Sequence, residues 1–577
     1  MSSLAFEKKK RTFIPENYSI STWDSLEGYY EDIKNREVSD AAGFLRWLKD
    51  RSELESCVSE DFAWRYIRMT CDTADAALQK AYQDFVENIQ PHLAAYNDLL
   101  NKKTLAYAEK WPVEEPGFVK PGFAIMLRGI RESVKIFREE NIALFTDIQL
   151  KQAEYQSLTG AMTVSLDGQE MTLPQAGTLL QSPDRELREK VWNAISERRL
   201  ADKDTLDRIF SELLVLRNEV AKNAGFQNFR DYMFSAMGRF DYTPQDCFDF
   251  HASIAATVAP IVDQLEADRK ARLGYARYRP WDAKADTEGK APLKPFHDGS
   301  DLLDKTEVCF SAIDPKFAEY IRTMRRMGHF DVESRKGKAP GGYNYPLEET
   351  GAPFIFMNAT DTVRDMVTMV HEGGHAIHSF EVRDLALNAF RNPPMEVAEL
   401  ASMSMELISM EHWDAYFPDP EQLKRAKREH LRDILAALPW IATVDKFQHW
   451  LYEHPTHTLE ERAAQWTAIL DEFGDSVTDW SGLEKFKRYS WQRQLHIYEV
   501  PFYYIEYGMA QLGAISMWRN YKADPVKGLK QYTEALALGY TQGIREIYAA
   551  GGIRFDFSKE YMAELMDFVK GELERLN

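Results

Sequence analysis

Thr362-Val-Arg-Asp-Met-Val-Thr-Met-Val-His371-Glu372-Gly373-Gly374-His375-Ala-Ile-His378 is the stretch on which the reading of this chain turns. Apolar residues at Val363, Met366, Val367, Val370 and Ile377 recur at the spacing of one buried helical face, and Thr360, Asp361 and Thr362 offer capping oxygens just before it. The periodicity therefore predicts a helix without reference to any motif. His371 and His375 stand one turn apart on that helix and project to the same side, so two imidazole nitrogens can converge on one Zn²⁺. Glu372 is one position round, suited to take a proton from a water rather than to ligate the metal. Gly373 and Gly374 lie mid-helix, where each costs about 1 kcal/mol relative to alanine, a cost that argues for close approach of another backbone or of a ligand.

A catalytic zinc takes three protein ligands and keeps a position open for water, so a third ligand must come from elsewhere in the chain. A metzincin would require glycine at 378 and histidine at 381, but His378 and Glu381 stand there. Pro393-Pro394 closes the connecting segment, and the run from Met395 to Ile408 predicts a second helix. Glu396, Glu399 and Glu406 share one face of it. By spacing alone Glu396 and Glu399 are equally good ligands.

The run Val397-Ala-Glu399-Leu-Ala-Ser402, following His371-Glu-Gly-Gly-His375-Ala-Ile-His378-Ser379, resembles the thimet oligopeptidase and oligoendopeptidase F family of zinc metallopeptidases, and the oligoendopeptidase F branch more closely. That resemblance selects Glu399. It extends to Gly341-Gly342-Tyr343 and to Pro353 through Asn358, where Gly341, Gly342, Tyr343, Phe356 and Asn358 are the expected substrate-binding residues. Downstream, it implies that His496, Tyr503 and Tyr507 are the histidine and tyrosines that face the zinc. The similarity covers the chain from about Ser182 onward, and the N-terminal third only loosely. What it implies is a mostly α-helical fold, with two helical lobes enclosing a deep substrate channel and a small sheet beside the HExxH helix. It further implies one Zn²⁺ per chain and cleavage of internal bonds in short oligopeptides by a zinc-activated water, with Glu372 as general base. Two other functions stay open. A metallocarboxypeptidase would need a cation for the substrate's C-terminal carboxylate, with Arg325, Arg326 and Arg493 as candidates. A peptide-binding homologue without turnover would have no use for the intact Glu372.

The remaining sequence sets bounds. Its 577 residues carry 91 acidic against 71 basic side chains, a formal charge of −20 that argues against nucleic acid or an anionic membrane as partner. No apolar run approaches membrane-spanning length, and the first twenty residues are polar and lysine-rich without the apolar core of a signal peptide, so a cytoplasmic protein is expected. Cys57, Cys71, Cys247 and Cys309 show no metal-like spacing and read as reduced, buried thiols. An N-terminal helical lobe over 1–200 and a catalytic domain over 201–577 are expected.

Helical periodicity runs from about Thr22 to Lys110, is interrupted at Pro112, Pro116, Gly117, Pro121 and Gly122, and resumes from Phe123 to Ser157 and from Pro183 to Leu273. Asp167-Gly168, between alternating residues, signals a hairpin. Arg277 through Gly299 reads as surface or hinge. Phe310 to Gly328 reads as helical, and Gly341 to Asn358 as a small sheet whose strand Phe354-Ile-Phe356 is either an edge that binds extended peptide or an ordinary buried strand. The rest is helical, with Pro501 expected as the first helical position ahead of Tyr503 and Tyr507.

Overall fold

The computed structural model describes residues 8–111, 120–335, 337–339 and 341–576; the interruption expected at Pro112, Pro116 and Gly117 lies outside them. The fold is mostly helical, with a two-stranded and a three-stranded sheet among the described residues. The N-terminal pattern forms four helices, Trp23–Asn35, Ala41–Cys71, Ala76–Asn88 and Gln90–Lys110. Their apolar faces close on one core that includes Leu26, Ile33, Phe44 and Trp47. Asp40 and Asp75 cap the second and third of these helices by accepting backbone N–H groups of the first turn.

Two compact units emerge, each built from three stretches of chain. One comprises Met1–Lys135, Leu293–Lys427 and Ala510–Phe555, the other Ile136–Pro292, Arg428–Met509 and Asp556–Asn577. The division expected near residue 200 falls inside the second unit, at the end of the helix Arg185–Ala201.

The hairpin at Asp167-Gly168 pairs Thr163–Leu166 with Gln169–Thr172. Asp167 and Gly168 both have positive φ, 53° and 81°, the pairing a two-residue type I′ turn requires. In the first unit, Phe354–Ala359 is the middle strand of three, parallel to Phe330–Glu333 and antiparallel to Tyr343–Tyr345. Of the two readings of Phe354-Ile-Phe356, the buried strand is the one observed, since it is paired on both sides. Tyr343–Tyr345 is an edge instead.

The chain leaves that sheet and enters the helix Val363–Val382, capped by a reciprocal box between Thr362 and Asp365. Met366, Val370 and Ile377 of the predicted face are fully buried. The two mid-helix glycines are explained by packing. A Cβ at Gly373 would lie 2.6 Å from the Phe310 ring, and one at Gly374 would lie 2.6 Å from Ser402 Cα and 2.8 Å from Ala401 O. Ala401 and Ser402 belong to the second predicted helix, Met395–Ser409. Backbone therefore meets backbone where the two helices cross.

The segment read as surface or hinge is packed at its start, where Tyr278, Trp281 and Asp282 are buried and Arg185 and Arg188 both clamp the Asp282 carboxylate, and is exposed from Glu288 to Pro292, where a stretch of the second unit ends. Pro501 does not start a helix. The helix begins at Tyr504, because Phe502 takes a positive φ of 69° that buries its ring, with its N–H donated to Gln448 Oε1 at 2.9 Å and its carbonyl accepting from Arg239. Among the described residues no helix is long and apolar enough to cross a membrane.

The crossing gives a direct test. Gly374→Ala should lower stability by about 1–3 kcal/mol, since the methyl meets backbone that cannot swing aside. Gly571→Ala, in the helix Lys559–Arg575 where a Cβ meets nothing within 4 Å, should instead raise it by up to ~1 kcal/mol. Thermal unfolding of the two variants side by side measures both signs.

Candidate metal centre

The helix crossing brings His371, His375 and Glu399 together. Their ligating atoms all lie within 4.8 Å of one another, with Glu399 Oε2 at 3.4 Å from His371 Nε2 and 3.8 Å from His375 Nε2. Donors about 2.0–2.1 Å from a tetrahedral zinc sit ~3.3 Å apart, so the donor set fits that ion in both chemistry and spacing. Glu399 is 5% exposed at its side chain, while the two imidazoles are 20% and 19% exposed, so the rings are partly open to solvent and the carboxylate is not. Glu396, the equal candidate by spacing, stands outside this group. Its backbone carbonyl accepts from Tyr548 Oη at 3.0 Å.

Glu406, two turns beyond Glu399, takes a part that spacing did not reveal. Its Oε1 lies 2.6 Å from His371 Nδ1. An Nδ1–H donated there holds the ring in orientation and would leave Nε2 for a metal ion, as outer-sphere carboxylates do for metal-binding histidines. Ser402 Oγ donates to Glu399 Oε2 at 3.2 Å and steadies that carboxylate. Burial would raise Glu399, but the hydrogen bond with His371, the charges of both histidines and Ser402 hold it down at about 2. Burial pushes His375 down to about 4. His371 stays well above its ordinary value, because its two carboxylate partners outweigh burial.

Glu372 is 7% exposed, and burial, reinforced by the nearby charges of Glu399 and Glu406 and opposed by His371, raises its carboxyl to about 7. Asn344 of the edge strand donates to the Glu372 carbonyl at 3.1 Å and ties the sheet to this turn of helix. The other expected binding residues are placed unevenly. Gly341 has a φ of 97°, a conformation glycine adopts without strain, and Gly342 lies against the Phe356 carbonyl. The Asn358 amide is spent on the Ala339 and Gly341 carbonyls, at 2.8 and 2.9 Å. Phe356 is fully buried and stacks on Tyr343 at 4.8 Å, and the Tyr343 hydroxyl bonds Thr70 at 2.6 Å. Their side chains hold the strand pair together, which leaves main chain as what these residues can offer a substrate.

His496, Tyr503 and Tyr507 belong to the second unit and gather there. Tyr503 and Tyr507 lie 6.1 Å from the imidazole between ring centres, and Tyr504 is nearer at 4.6 Å. The protonation of His496 follows from its neighbours. Trp440 Nε1 can only donate, and it points at Gln494 Oε1 at 3.0 Å. Gln494 therefore presents its NH₂ to His496 Nδ1, 2.7 Å away. The imidazole accepts at Nδ1 and carries its proton on Nε2, and burial, which lowers it to about 4, keeps it neutral. Of the arginines considered for a substrate carboxylate, Arg325 is committed to Asp304 and Glu307, and Arg326 to Glu319. Arg493 stacks over Trp440 at 4.7 Å.

Comparison with known proteins bears on the family and the fold. The profile of peptidase family M3 matches residues 178–567, and that of the peptidase M3 N-terminal domain matches residues 13–115. An oligoendopeptidase F homolog of Lactococcus lactis subsp. lactis is 20% identical over 411 residues, 70% of this chain and 67% of its own. Another, of Borreliella burgdorferi, is 22% identical over 432 residues, covering 71% and 70% of the two chains. The solved structure of PZ peptidase A with an inhibitor superposes with a TM-score of 0.87 at 25% identity, covering 98% of this chain and 99% of that one.

The carboxylates can be ranked by metal titration. Glu399→Ala should cause the largest loss of zinc affinity, Glu406→Ala a loss of about 10–100-fold, and Glu396→Ala the least. Equal losses at 396 and 406 would remove Glu406 from its orienting role.

Proposed function

The chain belongs to peptidase family M3, and on that premise we propose that it is a zinc metalloendopeptidase that cuts internal bonds of short oligopeptides. The observation that carries this reading is the His371, His375 and Glu399 triad with the buried Glu372 carboxylate on the adjoining helical position. A zinc ion held by these three residues supplies Lewis acidity toward the scissile carbonyl and toward water. Glu372 takes the proton of the attacking water and returns it to the leaving amine. Its carboxyl, raised to about 7, suits a group that must both accept and release a proton near neutrality.

Main-chain groups of Gly341, Gly342 and Tyr343, at the edge of the sheet, hold the extended substrate backbone, a mode of recognition that is indifferent to side chains. The family resemblance implies that His496, with Nε2–H as donor, and a tyrosine hydroxyl from Tyr507 or Tyr503 stabilise the developing oxyanion. A well-placed donor of that kind contributes roughly 3–4 kcal/mol in comparable acyl-transfer sites. No disulfide joins any two of the four cysteines, which supports a reducing compartment, the cytoplasm.

Three measurements test the reading. Glu372→Gln should keep zinc and lose at least about 10²–10⁴-fold in turnover, because an amide accepts no proton; activity near wild type would end the general-base assignment. A fluorogenic peptide blocked at both ends should be cut as fast as its free counterpart, whereas strict need for a free C-terminus would turn the reading to a carboxypeptidase with Arg493 as the carboxylate's partner. Tyr507→Phe should lower kcat with little change in KM or zinc content, since its hydroxyl acts on charge that develops in the transition state. A silent Tyr507→Phe beside an impaired Tyr503→Phe or Tyr504→Phe would move the donor.

A further inference from the structure

The second unit contains a cluster of metal-binding side chains in its core that takes no part in the chemistry above. Cys247 and His251 stand one turn apart on the helix Pro244–Thr257, and Asp445 and His449 stand one turn apart on the helix Pro420–Glu453. Two helices thus each present an i, i+4 pair, the way helical proteins assemble metal sites in their interiors. The four residues are 0, 2, 0 and 1% exposed respectively. One ligating atom each from Cys247, Asp445 and His449 falls within 4.8 Å of the other two.

Hydrogen bonding accounts for only part of this cluster. Asp445 Oδ2 is 2.8 Å from His251 Nε2, a sound hydrogen bond. His449 Nε2 is 3.3 Å from the same oxygen, yet neither of its ring nitrogens makes a hydrogen bond, and Asp445 Oδ1 has no partner either. Buried polar atoms left in that condition call for an explanation, and a bound ion or a water is the usual one. The surroundings favour neither hydration nor charge: the His449 ring lies 4.8 Å from Phe248, 5.3 Å from Phe502 and 6.1 Å from Phe234, between ring centres. The separation of 3.3 Å between His449 Nε2 and Asp445 Oδ2 matches the spacing of two ligands on one tetrahedral ion, as does the 3.4 Å between His371 and Glu399.

We propose that Cys247, Asp445 and His449 bind a second divalent cation of the zinc class, structural rather than catalytic. Sulfur and imidazole donors select zinc over calcium or magnesium, whose ligands are oxygens. Binding forms the metal–sulfur bond and releases the thiol proton to solvent. A thiolate, a carboxylate and a divalent cation then sum to zero charge, which is what an aromatic interior accepts at least cost. His251 donates to Asp445 from behind and orients it, as Glu406 does for His371. At 2% exposure or less throughout, the ion touches no substrate and serves to lock the two helices together.

Cobalt distinguishes the two sites, because the His371, His375 and Glu399 set has no sulfur. Full-length protein reconstituted with Co²⁺ alone should bind two equivalents and show a thiolate-to-cobalt charge-transfer band in the near ultraviolet. X-ray absorption of the zinc-loaded wild type should find sulfur among the ligands. Cys247→Ser should remove the band and one equivalent of metal while the other equivalent stays. A wild type that binds one equivalent with nitrogen and oxygen ligands only would overturn the proposal and leave a buried water in its place, and so would a thiolate band that survives Cys247→Ser. The wild-type spectra decide the matter even where the variant fails to fold.

Discussion

The closest approach of two helices governs everything at the candidate metal centre. A side chain of any size at 374 would drive Val363–Val382 away from Met395–Ser409, since the atoms it would meet are Ser402 Cα and the Ala401 carbonyl, and these have no rotamer to change. The glycine pair weakens the helix that carries the histidines, and the same substitution of hydrogen for methyl lets a carboxylate on the neighbouring helix reach both imidazoles. Helix propensity is sacrificed for ligand geometry. The weakened helix is supported from outside: Thr362 and Asp365 cap its start, Phe310 packs on Gly373, and Asn344 of the sheet bonds the Glu372 carbonyl.

Once the two helices touch, electrostatics does the rest. Glu372, Glu399 and Glu406 crowd the buried patch around His371. Like charges so placed cannot all be accommodated cheaply, and the carboxyls separate according to their partners. Glu399, with His371, His375 and Ser402 around it, is held down at about 2, whereas Glu372, with fewer favourable contacts and the other two carboxylates nearby, is raised to about 7. One helix crossing thus yields, from the same residue type, one carboxyl held firmly anionic and another poised near neutrality, separated by environment alone.

Much of this was legible in the sequence. Periodicity placed both helices, the mid-helix glycines announced a close approach, and the Asp167-Gly168 turn announced a hairpin. Three kinds of information were not legible, each for a physical reason. Spacing left Glu396 and Glu399 equivalent, because ligand choice depends on how the second helix rotates against the first, and only the family resemblance separated them. The strand Phe330–Glu333 escaped notice because it is short and its parallel partner lies across an intervening edge strand, so no local turn signal marks it. The interleaving of each unit from three stretches is a matter of long-range contact, to which composition is blind. Glu406 was seen on the right face yet given no part, since an outer-sphere carboxylate has no spacing rule beyond the face it shares.

The cysteine reading shows the same limit from another side. Cys247 was read as a buried thiol without metal-like spacing, and as a matter of local sequence that holds, because its prospective co-ligands are 198 and 202 positions away on a different helix. What gives the residue meaning is packing. The two candidate metal clusters in this chain have nearly equal ligand separations, 3.4 Å at His371 and Glu399 and 3.3 Å at His449 and Asp445, but opposite exposure. Where imidazoles are about one fifth open, a bound ion would meet solvent; where every donor is sealed behind phenylalanines, a bound ion would only hold structure in place. Donor type and spacing therefore mark a cluster as a candidate for metal, and burial, which no motif encodes, decides whether solvent and substrate can reach it.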